Sequence, residues 1–478
     1  MHNFIDASFR ILCKRSKLVS TQPNQQEFCN SDLQFLQNGF IIHPLYFSGM
    51  VDQIVKNYNA MTPAQLKEEY LRVKGSYDAC KALGLKLNMA RGKPSKLQLD
   101  AVSDIMSVLL TGDDCFCDGI DARNYGELQG LPCARKYWAD VLGCKEEETF
   151  VGGASSLTLM YDLISKAYTH GLRNSVRPWC KEEVVKFLCP SPGYARHFRI
   201  TESFGAQLIT VPMTAEGPDM NVVEELVKDP TVKGIWCVPK YSNPDGIIYS
   251  DETIRRFVNL KPAAPDFAIM WDNAYGVHEF EGEYVEFPDI ISLCAEAGNP
   301  NMVYEFASTS KITLAGAGIS VMASSKSNID YLTELLGVQM ISHDKINQLR
   351  HVRYLKDKKH TIEIMKRHAS FLAPKFAVVS DHLEREIAPL GIGSWVRPKG
   401  GYFVSYNAMP GTAKRMLELC KEAGVVMTPA GATFPYGVDP MDSNIRIAPS
   451  LPPVEELEKA MEVFCLCARL AALEKLMA

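Results

Sequence analysis

The chain has 478 residues, 46% of them hydrophobic and 22% charged, which is the composition of a globular protein too long for one small core. Its formal net charge of −5 leaves no basic surface for nucleic acid, and no segment has the roughly 18 uninterrupted apolar residues that cross a membrane. The 14 cysteines lack the paired spacing of a zinc site, so we predict no metal and expect reduced thiols in a cytoplasmic protein.

Residues 1–50 differ in composition from the rest of the chain. Arg10, Lys14 and Arg15 lie in a partly apolar run, and Asp6 is the only acidic residue among the first 26. An organelle transit peptide has a similar basic, acid-poor composition and is the alternative for this segment. We favour a disordered N-terminal extension that precedes the folded protein.

The pattern of a folded protein begins near residue 62. Thr62 can cap a helix, Pro63 suits the first helical position, and Gln65 completes a capping box. Apolar residues then follow at helical spacing. We assign residues 51–118 to a small domain, which a later part of the chain completes.

Short apolar runs alternate with amphipathic segments between residues 119 and 345. The predicted strands are 148–151, 184–189, 207–211, 234–238, 267–271, 302–306 and 319–323, and the predicted helices include 157–168 and 222–227. This alternation predicts a large α/β domain over 119–345, with a mostly parallel sheet that helices cover on both faces. Ligands of such sheets lie at the carboxyl ends of the strands.

The pattern changes after residue 345. A long helical segment, 351–372, leads into 376–390. The remaining predicted elements are strands at 395–396, 402–404, 425–427 and 445–448, and helices at 414–423 and 454–476. We predict an α+β arrangement here and join residues 346–478 to residues 51–118 in the small domain.

Polar residues follow the carboxyl ends of several predicted strands. Lys311 closes the run Ser308-Thr309-Ser310-Lys311, and Asp272 follows the apolar segment 267–271. A desolvated lysine amine can form an imine with an aldehyde cofactor, and a buried carboxylate can keep a pyridine nitrogen protonated. Pyridoxal 5′-phosphate chemistry requires both groups. The alternative for Asp272 is a helix N-cap after a strand.

Two further side chains could donate hydrogen bonds to the 3-oxygen of that cofactor. Tyr275 lies three residues after Asp272, and Asn243 begins the segment Asn243-Pro244-Asp245-Gly246. A phenol and an amide would both stabilise the deprotonated oxygen. The alternatives are a core aromatic residue for Tyr275 and an ordinary turn for Asn243.

The segment 151–157 offers donors for a phosphate group. It lies between a predicted strand and a predicted helix, where free backbone amides and the helix dipole attract an anion. The candidates are Gly153, Ala154, Ser155 and Ser156, with additional hydroxyl groups from Ser308 and Ser310. Two glycines before a helix and small residues beside a strand end are also common in simple packing, so this signal alone is weak.

Arg446 is the candidate for binding a substrate carboxylate. It lies within the apolar strand 445–448. An arginine can bind a carboxylate through two parallel hydrogen bonds, and an arginine in an otherwise buried strand usually has an anion partner. The alternative is an arginine on an edge strand that faces water.

The joint order of these segments resembles the fold-type-I pyridoxal phosphate aminotransferases and, within them, the subgroup called type Ic aspartate aminotransferases. The segments that carry the resemblance are 124–132, 151–157, 191–197, 243–244, 271–275, 308–311 and 444–449. The resemblance covers residues 55–475, so the N-terminal extension is outside it.

The resemblance implies cofactor-binding roles for the matching positions. Lys311 would be the Schiff-base lysine and would carry the proton between substrate and cofactor. Asp272 would pair with the ring nitrogen, supported by His197. Tyr194 would stack on the ring, and the two donors named above would contact its 3-oxygen.

The resemblance also implies how the substrate and a second subunit take part. Arg446 would hold the substrate α-carboxylate, near Asn243. Gly92 would lie in a loop that covers the substrate. Tyr125 would reach the cofactor phosphate of the neighbouring subunit, which implies a homodimer with shared active sites.

One position departs from the family pattern. Most relatives place an arginine soon after the lysine, where it neutralises the phosphate, whereas this chain has Gly318 at about that position and no cation between residues 312 and 318. We expect the backbone amides of 153–156, the serines and Tyr125 to compensate.

The expected function is therefore an aminotransferase with two half-reactions, in which aspartate gives its amino group and 2-oxoglutarate receives it. The choice of aspartate rests on the resemblance to the subgroup. The alternatives are another enzyme of the same fold, such as an alanine or aromatic transaminase or a β-lyase, and a non-catalytic regulatory module that binds the cofactor. No basic DNA-recognition module precedes residue 55, which argues against the regulator.

Overall fold

The fold is known from a computed structural model that describes residues 57–478. The extension predicted over residues 1–50 lies outside the described residues. Helix α1 (Pro63–Ala82) begins as predicted, because Thr62 Oγ1 accepts a hydrogen bond from the backbone of Gln65 and the Gln65 side chain accepts one from the backbone of Thr62. The next elements are β1 (Leu87–Asn88), α2 (Lys96–Asp100), β2 (Phe116–Cys117), β3 (Ile120–Asp121) and α3 (Pro132–Leu142).

The middle of the chain forms an eight-stranded sheet. Its strands are β4 (Thr149–Gly152), β5 (Lys186–Ser191), β6 (Gln207–Thr214), β7 (Gly217–Pro218), β8 (Val232–Cys237), β9 (Ala268–Asp272), β10 (Val303–Ser308) and β11 (Ser320–Ala323). They lie in the order β4-β11-β10-β9-β8-β5-β6-β7, and only β11 and β7 run antiparallel to their neighbours. The predicted α/β class with a mostly parallel sheet is therefore confirmed.

Helices connect these strands and cover the sheet. They are α4 (Ser156–Thr169), α5 (Ala195–Ser203), α6 (Met220–Leu226), α7 (Asp251–Val258), α8 (Ile290–Glu296) and α9 (Lys326–Gly337). Two apolar clusters pack against the sheet, one around Trp271 and Ile269 and the other around Trp236 and Phe306. Alternate residues of β9 belong to different clusters, as expected for a strand that is buried on both faces.

The last part of the chain forms mainly helices around two small sheets. Its elements are α10 (Lys345–Leu355), α11 (Lys358–Glu386), β12 (Gly393–Trp395), β13 (Val404–Ala408), α12 (Ala413–Glu422), β14 (Val425–Val426), β15 (Asn444–Ile447) and α13 (Val454–Met477). The strand order in one sheet is β12-β13-β15, and β14 pairs with β1 in the other. A third apolar cluster joins α1, α11, α12 and α13. The assignment of 51–118 and 346–478 to one small domain stays a prediction.

The helix predicted over residues 351–372 is wrong in one respect. The chain ends one helix at Leu355 and begins another at Lys358, because Lys356 adopts φ +63° and Asp357 is extended. The Asp357 side chain accepts a hydrogen bond from the backbone of His360 and so caps the new helix.

The described cysteines include one close pair. Cys117 and Cys133 face each other with 6.8 Å between their Cα atoms, and the expectation of reduced thiols stays a prediction. The free cysteines of the described part are Cys80, Cys115, Cys144, Cys180, Cys189, Cys237, Cys294, Cys420, Cys465 and Cys467.

Residues 57–478 contain neither a membrane-spanning helix nor a metal-binding cluster. None of the helices there is long and apolar enough to cross a membrane. The same residues contain no group of three or more His, Cys, Asp or Glu side chains that could hold a metal ion.

Candidate active site

A cleft opens at the carboxyl ends of the central parallel strands, where ligands of such sheets bind. It is lined by Gly92, Ser155, Ser156, Leu157, Met160, Tyr194, Val238, Asn243, Asp272, Ala274, Tyr275, Ser308, Ser310, Lys311 and Phe403. These residues come from segments that are far apart in the sequence. The parallel sheet brings them together because β8, β9 and β10 end at the same edge.

Lys311 follows the end of β10 and presents its amine to the cleft. Its Nζ lies 4.7 Å from the centre of the Tyr275 ring, and its backbone carbonyl accepts a hydrogen bond of 3.4 Å from the Tyr402 hydroxyl. Desolvation lowers the pKa of the Lys311 amine, while the nearby Asp272 carboxylate raises it. A lowered pKa increases the fraction of free amine, which is the nucleophilic form.

Asp272 is the last residue of β9, and its carboxylate has one paired and one unpaired oxygen. Oδ2 lies 2.9 Å from Nε2 of His197, which belongs to α5. The His197 ring stacks on Trp236 with 4.5 Å between ring centres, and this packing fixes its orientation. Oδ1 is buried and has no hydrogen-bond partner among the described residues. A buried carboxylate of this kind can accept a proton-bearing nitrogen of a ligand.

Tyr275 and Tyr194 place aromatic rings on the cleft. Burial raises the pKa of the Tyr275 phenol far above its ordinary value, so the hydroxyl stays protonated and can donate a hydrogen bond. Tyr194 caps α5 from the loop after β5, and its ring meets the His197 ring edge-on at 4.9 Å. Burial also raises the pKa of Tyr194.

The loop between β4 and α4 is a candidate anion site. Ser155 is the N-cap residue of α4, but its side chain makes no capping hydrogen bond, so the amides of the first turn are available to a ligand. The hydroxyl of Ser310 donates to the Ala154 carbonyl at 3.1 Å, and Ser308 donates to Ser310 at 3.1 Å. Together with Ser320, which donates to the Gly153 carbonyl at 2.8 Å, these bonds hold the loop against β10 and β11.

Arg446 lies on β15, an edge strand of the three-stranded sheet, and contacts Asn243, which lines the cleft. Its guanidinium donates to Asn243 Oδ1 and to Thr428 Oγ1, each at 3.3 Å, and lies 4.6 Å from the centre of the Phe403 ring. Its Nε is buried and has no partner within the described part of the chain. The guanidinium is therefore held in position with hydrogen-bonding capacity left for a carboxylate.

Gly92 packs closely on the Phe403 ring. A Cβ atom at this position would lie 2.5 Å from the ring, so the site accepts only glycine without rearrangement. The contact places the backbone of residues 91–93 beside the aromatic ring on which Arg446 also packs.

Gly318 lies close to the lysine segment. A Cβ atom there would be 3.0 Å from Thr309 Oγ1 and 3.2 Å from the backbone nitrogen of Ser310, so a side chain would crowd this turn. Lys311 is the only lysine or arginine among the described residues that line the cleft. The sequence has no cation after the lysine, and the close packing around Gly318 means that a larger side chain would not fit there without rearrangement.

Most of the site residues predicted from the sequence meet at this one cleft. Ten line it directly, His197 contacts Asp272, Arg446 contacts Asn243, and Gly153 and Ala154 precede the cleft-lining serines. Tyr125 is the exception, because its side chain is 81% exposed and lies outside the lining.

The sequence reasoning missed Phe403 and Met160 as lining residues. Phe403 follows the segment Gly400-Gly401-Tyr402, and two adjacent glycines before two aromatic residues are a signal of close backbone packing. Met160 carries no local signal, because an apolar residue in a helix is normally part of the core.

The reactive and hydrogen-bonding groups of the cleft are complementary to those of pyridoxal phosphate. The cleft contains one amine, a buried carboxylate oxygen with no partner in residues 57–478, free amides at a helix N-terminus and two hydrogen-bonding side chains beside the carboxylate. An aldehyde, a protonated ring nitrogen, a phosphate and a ring oxygen are the complementary groups.

Comparison with known proteins identifies the family. Residues 61–478 match the family model for aspartate amino-transferase. An aspartate aminotransferase of Corynebacterium glutamicum is 48% identical over 402 residues, which is 84% of this chain and 93% of that protein. A crystal structure of an aspartate transaminase from the same species superimposes with a TM-score of 0.87 at 46% identity and covers 89% of this chain and 100% of that chain.

A more distant structure shares the fold. The α-aminoadipate aminotransferase of Thermus thermophilus, solved with N-(5′-phosphopyridoxyl)-L-leucine, has a TM-score of 0.64 at 21% identity, and the match covers 85% of this chain and 98% of that chain. The family match spans nearly all of the described residues, and the family predicted from the sequence is confirmed. This chain therefore belongs to the aspartate aminotransferase family.

Proposed function

We propose that this protein is a pyridoxal phosphate-dependent aminotransferase that takes the amino group from aspartate and gives it to 2-oxoglutarate. The observation that carries the proposal is the meeting of Lys311, Asp272 and the Arg446–Asn243 pair at one cleft. The choice of aspartate is supported by the name of the Corynebacterium glutamicum relative. The two half-reactions would alternate at the same site.

Asp272 and His197 would hold the cofactor in its reactive state. The bound cofactor supplies an aldehyde carbon that exchanges amino groups and a protonated ring that accepts electrons from the substrate. The free Oδ1 of Asp272 would accept the hydrogen bond from the ring nitrogen, and the carboxylate charge would keep that nitrogen protonated. His197 orients the carboxylate through its contact with Oδ2.

Lys311 would act on the substrate α-carbon. Its amine is poorly solvated, and desolvation lowers its pKa, so a larger fraction is unprotonated and ready to accept a proton. Nζ would take the proton from the substrate α-carbon and deliver it, within the same half-reaction, to the carbon that the cofactor's aldehyde supplies. The Tyr402 hydroxyl, bonded to the Lys311 carbonyl, fixes the backbone from which the amine projects.

Arg446 would bind the α-carboxylate of the substrate. Asn243 and Thr428 occupy part of the guanidinium, and the Phe403 ring supports one of its faces, so the remaining donors point in a defined direction. Gly92 packs on the same ring and would help to exclude water from the bound substrate.

The amides of 153–156 would hold the phosphate, and the hydroxyls of Ser308 and Ser310 would donate to it after turning from their present partners. In the structure Ser308 donates to Ser310, and Ser310 donates to the Ala154 carbonyl, so these bonds position the loop against β10 until the ligand binds. We further propose that Tyr125 of a second subunit contributes to the same site in a homodimer, a view supported by its exposure. The cytoplasmic location stays a prediction from the sequence.

Replacement of Lys311 tests the proposal. Lys311→Ala should remove the absorbance band of the cofactor covalently attached to the lysine and should lower kcat by a factor of about 10⁴ or more, because the nucleophile and the proton carrier are the same group. Absorbance spectra and coupled assays measure both. Lys326→Ala, which changes an exposed lysine on α9, is the matched control and should behave as wild type.

A panel of amino donors decides between the candidate functions. Aspartate, alanine, an aromatic amino acid and a cysteine conjugate are each offered with 2-oxoglutarate to the cofactor-loaded protein. Turnover with aspartate above the others supports the proposal. Preference for another donor, release of pyruvate and ammonia from the conjugate, or cofactor binding without any turnover would each refute it in favour of one alternative.

A further inference from the structure

Two loops leave the small sheet of β1 and β14 side by side. The two strands are parallel, with Asn88 opposite Val426. The next backbone hydrogen bond, from Met89 to the Val426 carbonyl at 2.9 Å, continues this pairing beyond β1. The loop after β1 comprises residues 90–93, and we call it the Gly92 loop because Gly92 is its member that lines the cleft.

Thr428 lies two residues after β14 and connects the Gly92 loop to Arg446. Its hydroxyl donates to the Ala90 carbonyl at 2.9 Å and accepts a hydrogen bond of 3.3 Å from Nη2 of Arg446. The direction of both bonds is fixed, because a carbonyl oxygen only accepts and a guanidinium only donates. Thr428 is 7% exposed, so water has little access to replace either bond.

Two further contacts hold the Gly92 loop near the strand that carries the arginine. Ser450 follows β15 and donates its hydroxyl to the Lys93 carbonyl at 2.9 Å. The Phe403 ring packs on Gly92 and lies 4.6 Å from the Arg446 guanidinium. These contacts strengthen the connection that the threonine hydroxyl makes.

The connection matters because Arg446 and the Gly92 loop belong to different sheets. Arg446 lies on β15 of the three-stranded sheet, whereas the loop follows β1 of the two-stranded sheet. Backbone pairing therefore does not fix their relative position, and side chains must do so. Asn243 accepts from one terminal nitrogen of the guanidinium and Thr428 from the other. A long side chain that is fixed in this way loses little further freedom when it binds a ligand.

We propose that Thr428 is a positioning residue, which holds the Arg446 guanidinium and the Gly92 loop in one fixed arrangement around the substrate α-carboxylate. The amino donor and the keto acid of a transaminase both carry an α-carboxylate, so Thr428 should contribute equally to the binding of both. The effect on substrates rests on the aminotransferase function proposed above, whereas the coupling of loop and arginine does not.

The first test measures the loop independently of turnover. Hydrogen–deuterium exchange with mass spectrometry follows a peptide that covers residues 88–95 in the full-length protein with pyridoxal phosphate present. Thr428→Val keeps the shape of the side chain but removes the hydroxyl, and exchange in this peptide should become roughly fivefold faster. Thr428→Ser keeps the hydroxyl and should exchange like wild type. Thr428→Ala should behave like the Val variant and replaces it if that variant fails to fold. Unchanged exchange in the variants without the hydroxyl would overturn the coupling.

The second test separates KM from kcat in the cofactor-loaded protein. Thr428→Val should raise KM for aspartate and KM for 2-oxoglutarate by the same factor, roughly tenfold, and should change kcat by less than about threefold, because binding common to ground state and transition state is lost. Thr428→Ser should return both KM values to within about twofold of wild type. In an Arg446→Lys background, Thr428→Val should raise either KM by less than about twofold, because the threonine acts through the arginine.

Thr361→Val is the matched control. The hydroxyl of Thr361, on α11, also connects a side chain to a backbone carbonyl, because it bonds the Tyr137 hydroxyl at 3.1 Å and the Asp357 carbonyl at 2.9 Å. The variant should lower the free energy of unfolding about as much as Thr428→Val and should leave both KM values and the exchange of residues 88–95 unchanged.

Several results would overturn the positioning role. They are equal KM increases in the two Val variants, a KM increase for one substrate alone, and a full effect of Thr428→Val in the Arg446→Lys background. Absence of transamination in the wild type would instead refute the proposed function, and the exchange measurement would then decide the coupling of loop and arginine.

Discussion

Arg446 combines three contacts that a lysine cannot reproduce. Its guanidinium bonds Asn243 and Thr428 and lies against the Phe403 ring, while the buried Nε is without a partner in the described residues. Arg446→Lys keeps the charge but loses the planar fork, so kcat/KM for aspartate should fall roughly 10- to 100-fold. Steady-state kinetics with aspartate as the varied substrate measures the loss.

Arg397→Lys is the matched control, because Arg397 is an exposed arginine that pairs with Glu281. It should leave kcat/KM unchanged. Wild-type kinetics in Arg446→Lys would show that this arginine does not bind the substrate carboxylate.

Glu305 is a buried carboxyl group within β10. Its Oε1 accepts a hydrogen bond of 3.0 Å from Asn273, and its Oε2 has no partner in the described part of the chain. Burial raises the pKa of Glu305 to about 8 from an ordinary value of 4.5. The folded protein therefore keeps this proton at pH values where the unfolded chain has released it.

The stabilising effect of that proton should depend on pH. It is fully present below about pH 4.5 and is lost as the pH rises towards 8, because the folded state binds more protons than the unfolded state in between. Glu305→Gln carries no such proton, so its free energy of unfolding relative to wild type should rise between pH 5 and pH 8, by an amount on the order of a few kcal/mol. Urea denaturation at several pH values measures it.

Glu283→Gln, at an exposed carboxylate, supplies the control and should show the same difference from wild type at every pH. A pH-independent difference for Glu305→Gln would mean that Glu305 ionises normally in the folded protein.

Residue types with strong local signals could be predicted from the sequence, and others could not. Lys311, Asp272 and Arg446 were named as site residues because each charged side chain lies in or beside an apolar strand and because the joint order of the segments resembles one family. Trp138 and His278 were not singled out, because the small cavity that both line forms only when α3 packs beside the segment after β9. Nothing in the local sequence of either residue distinguishes it from an ordinary core residue.

At the scale of elements, Gly424 and Gly75 show that the same glycine-to-alanine substitution should have opposite effects on stability at two positions. Gly424 joins α12 to β14 with φ +84°, and a Cβ atom there would overlap the carbonyl oxygen of Leu85. Gly75 lies inside α1 with open space around it. Gly424→Ala should lower the free energy of unfolding by at least about 2 kcal/mol, whereas Gly75→Ala should raise it by about 0.5–1 kcal/mol.

Thermal and urea denaturation of the two variants, compared with wild type, measures both effects. The two substitutions are chemically identical, so each controls for the other. If both substitutions raised the free energy of unfolding, or both lowered it, the assigned backbone conformations would be contradicted.

The order of strands and helices was predictable, and the boundaries were less so. Strands such as β9 consist of apolar residues without alternation, which identifies a strand covered on both faces. The break between α10 and α11 was missed because residues 356–361 contain no glycine or proline to mark it. The capping signal of Asp357 is short, and an aspartate inside a helical pattern is common.

At the scale of the whole molecule, the proposed homodimer predicts that each active site draws on both chains. Tyr125 and Lys311 would then serve different sites within one chain. A hybrid of Tyr125→Ala and Lys311→Ala subunits should contain one site with both residues intact and one site with neither. At a cofactor concentration too low to load the Tyr125→Ala homodimer, the mixed and re-equilibrated subunits should recover transaminase activity that neither parent shows.

The recovery should correspond to about one site for each hybrid dimer, because only one of its two sites is complete. Mixing Lys311→Ala with Asp272→Asn is the matched control. Lys311 and Asp272 line the same cleft of one chain, so a hybrid of these variants has two damaged sites and should stay inactive. Equal recovery in both mixtures would contradict sharing through Tyr125, and no recovery in either would mean that Tyr125 acts within its own chain or not at all.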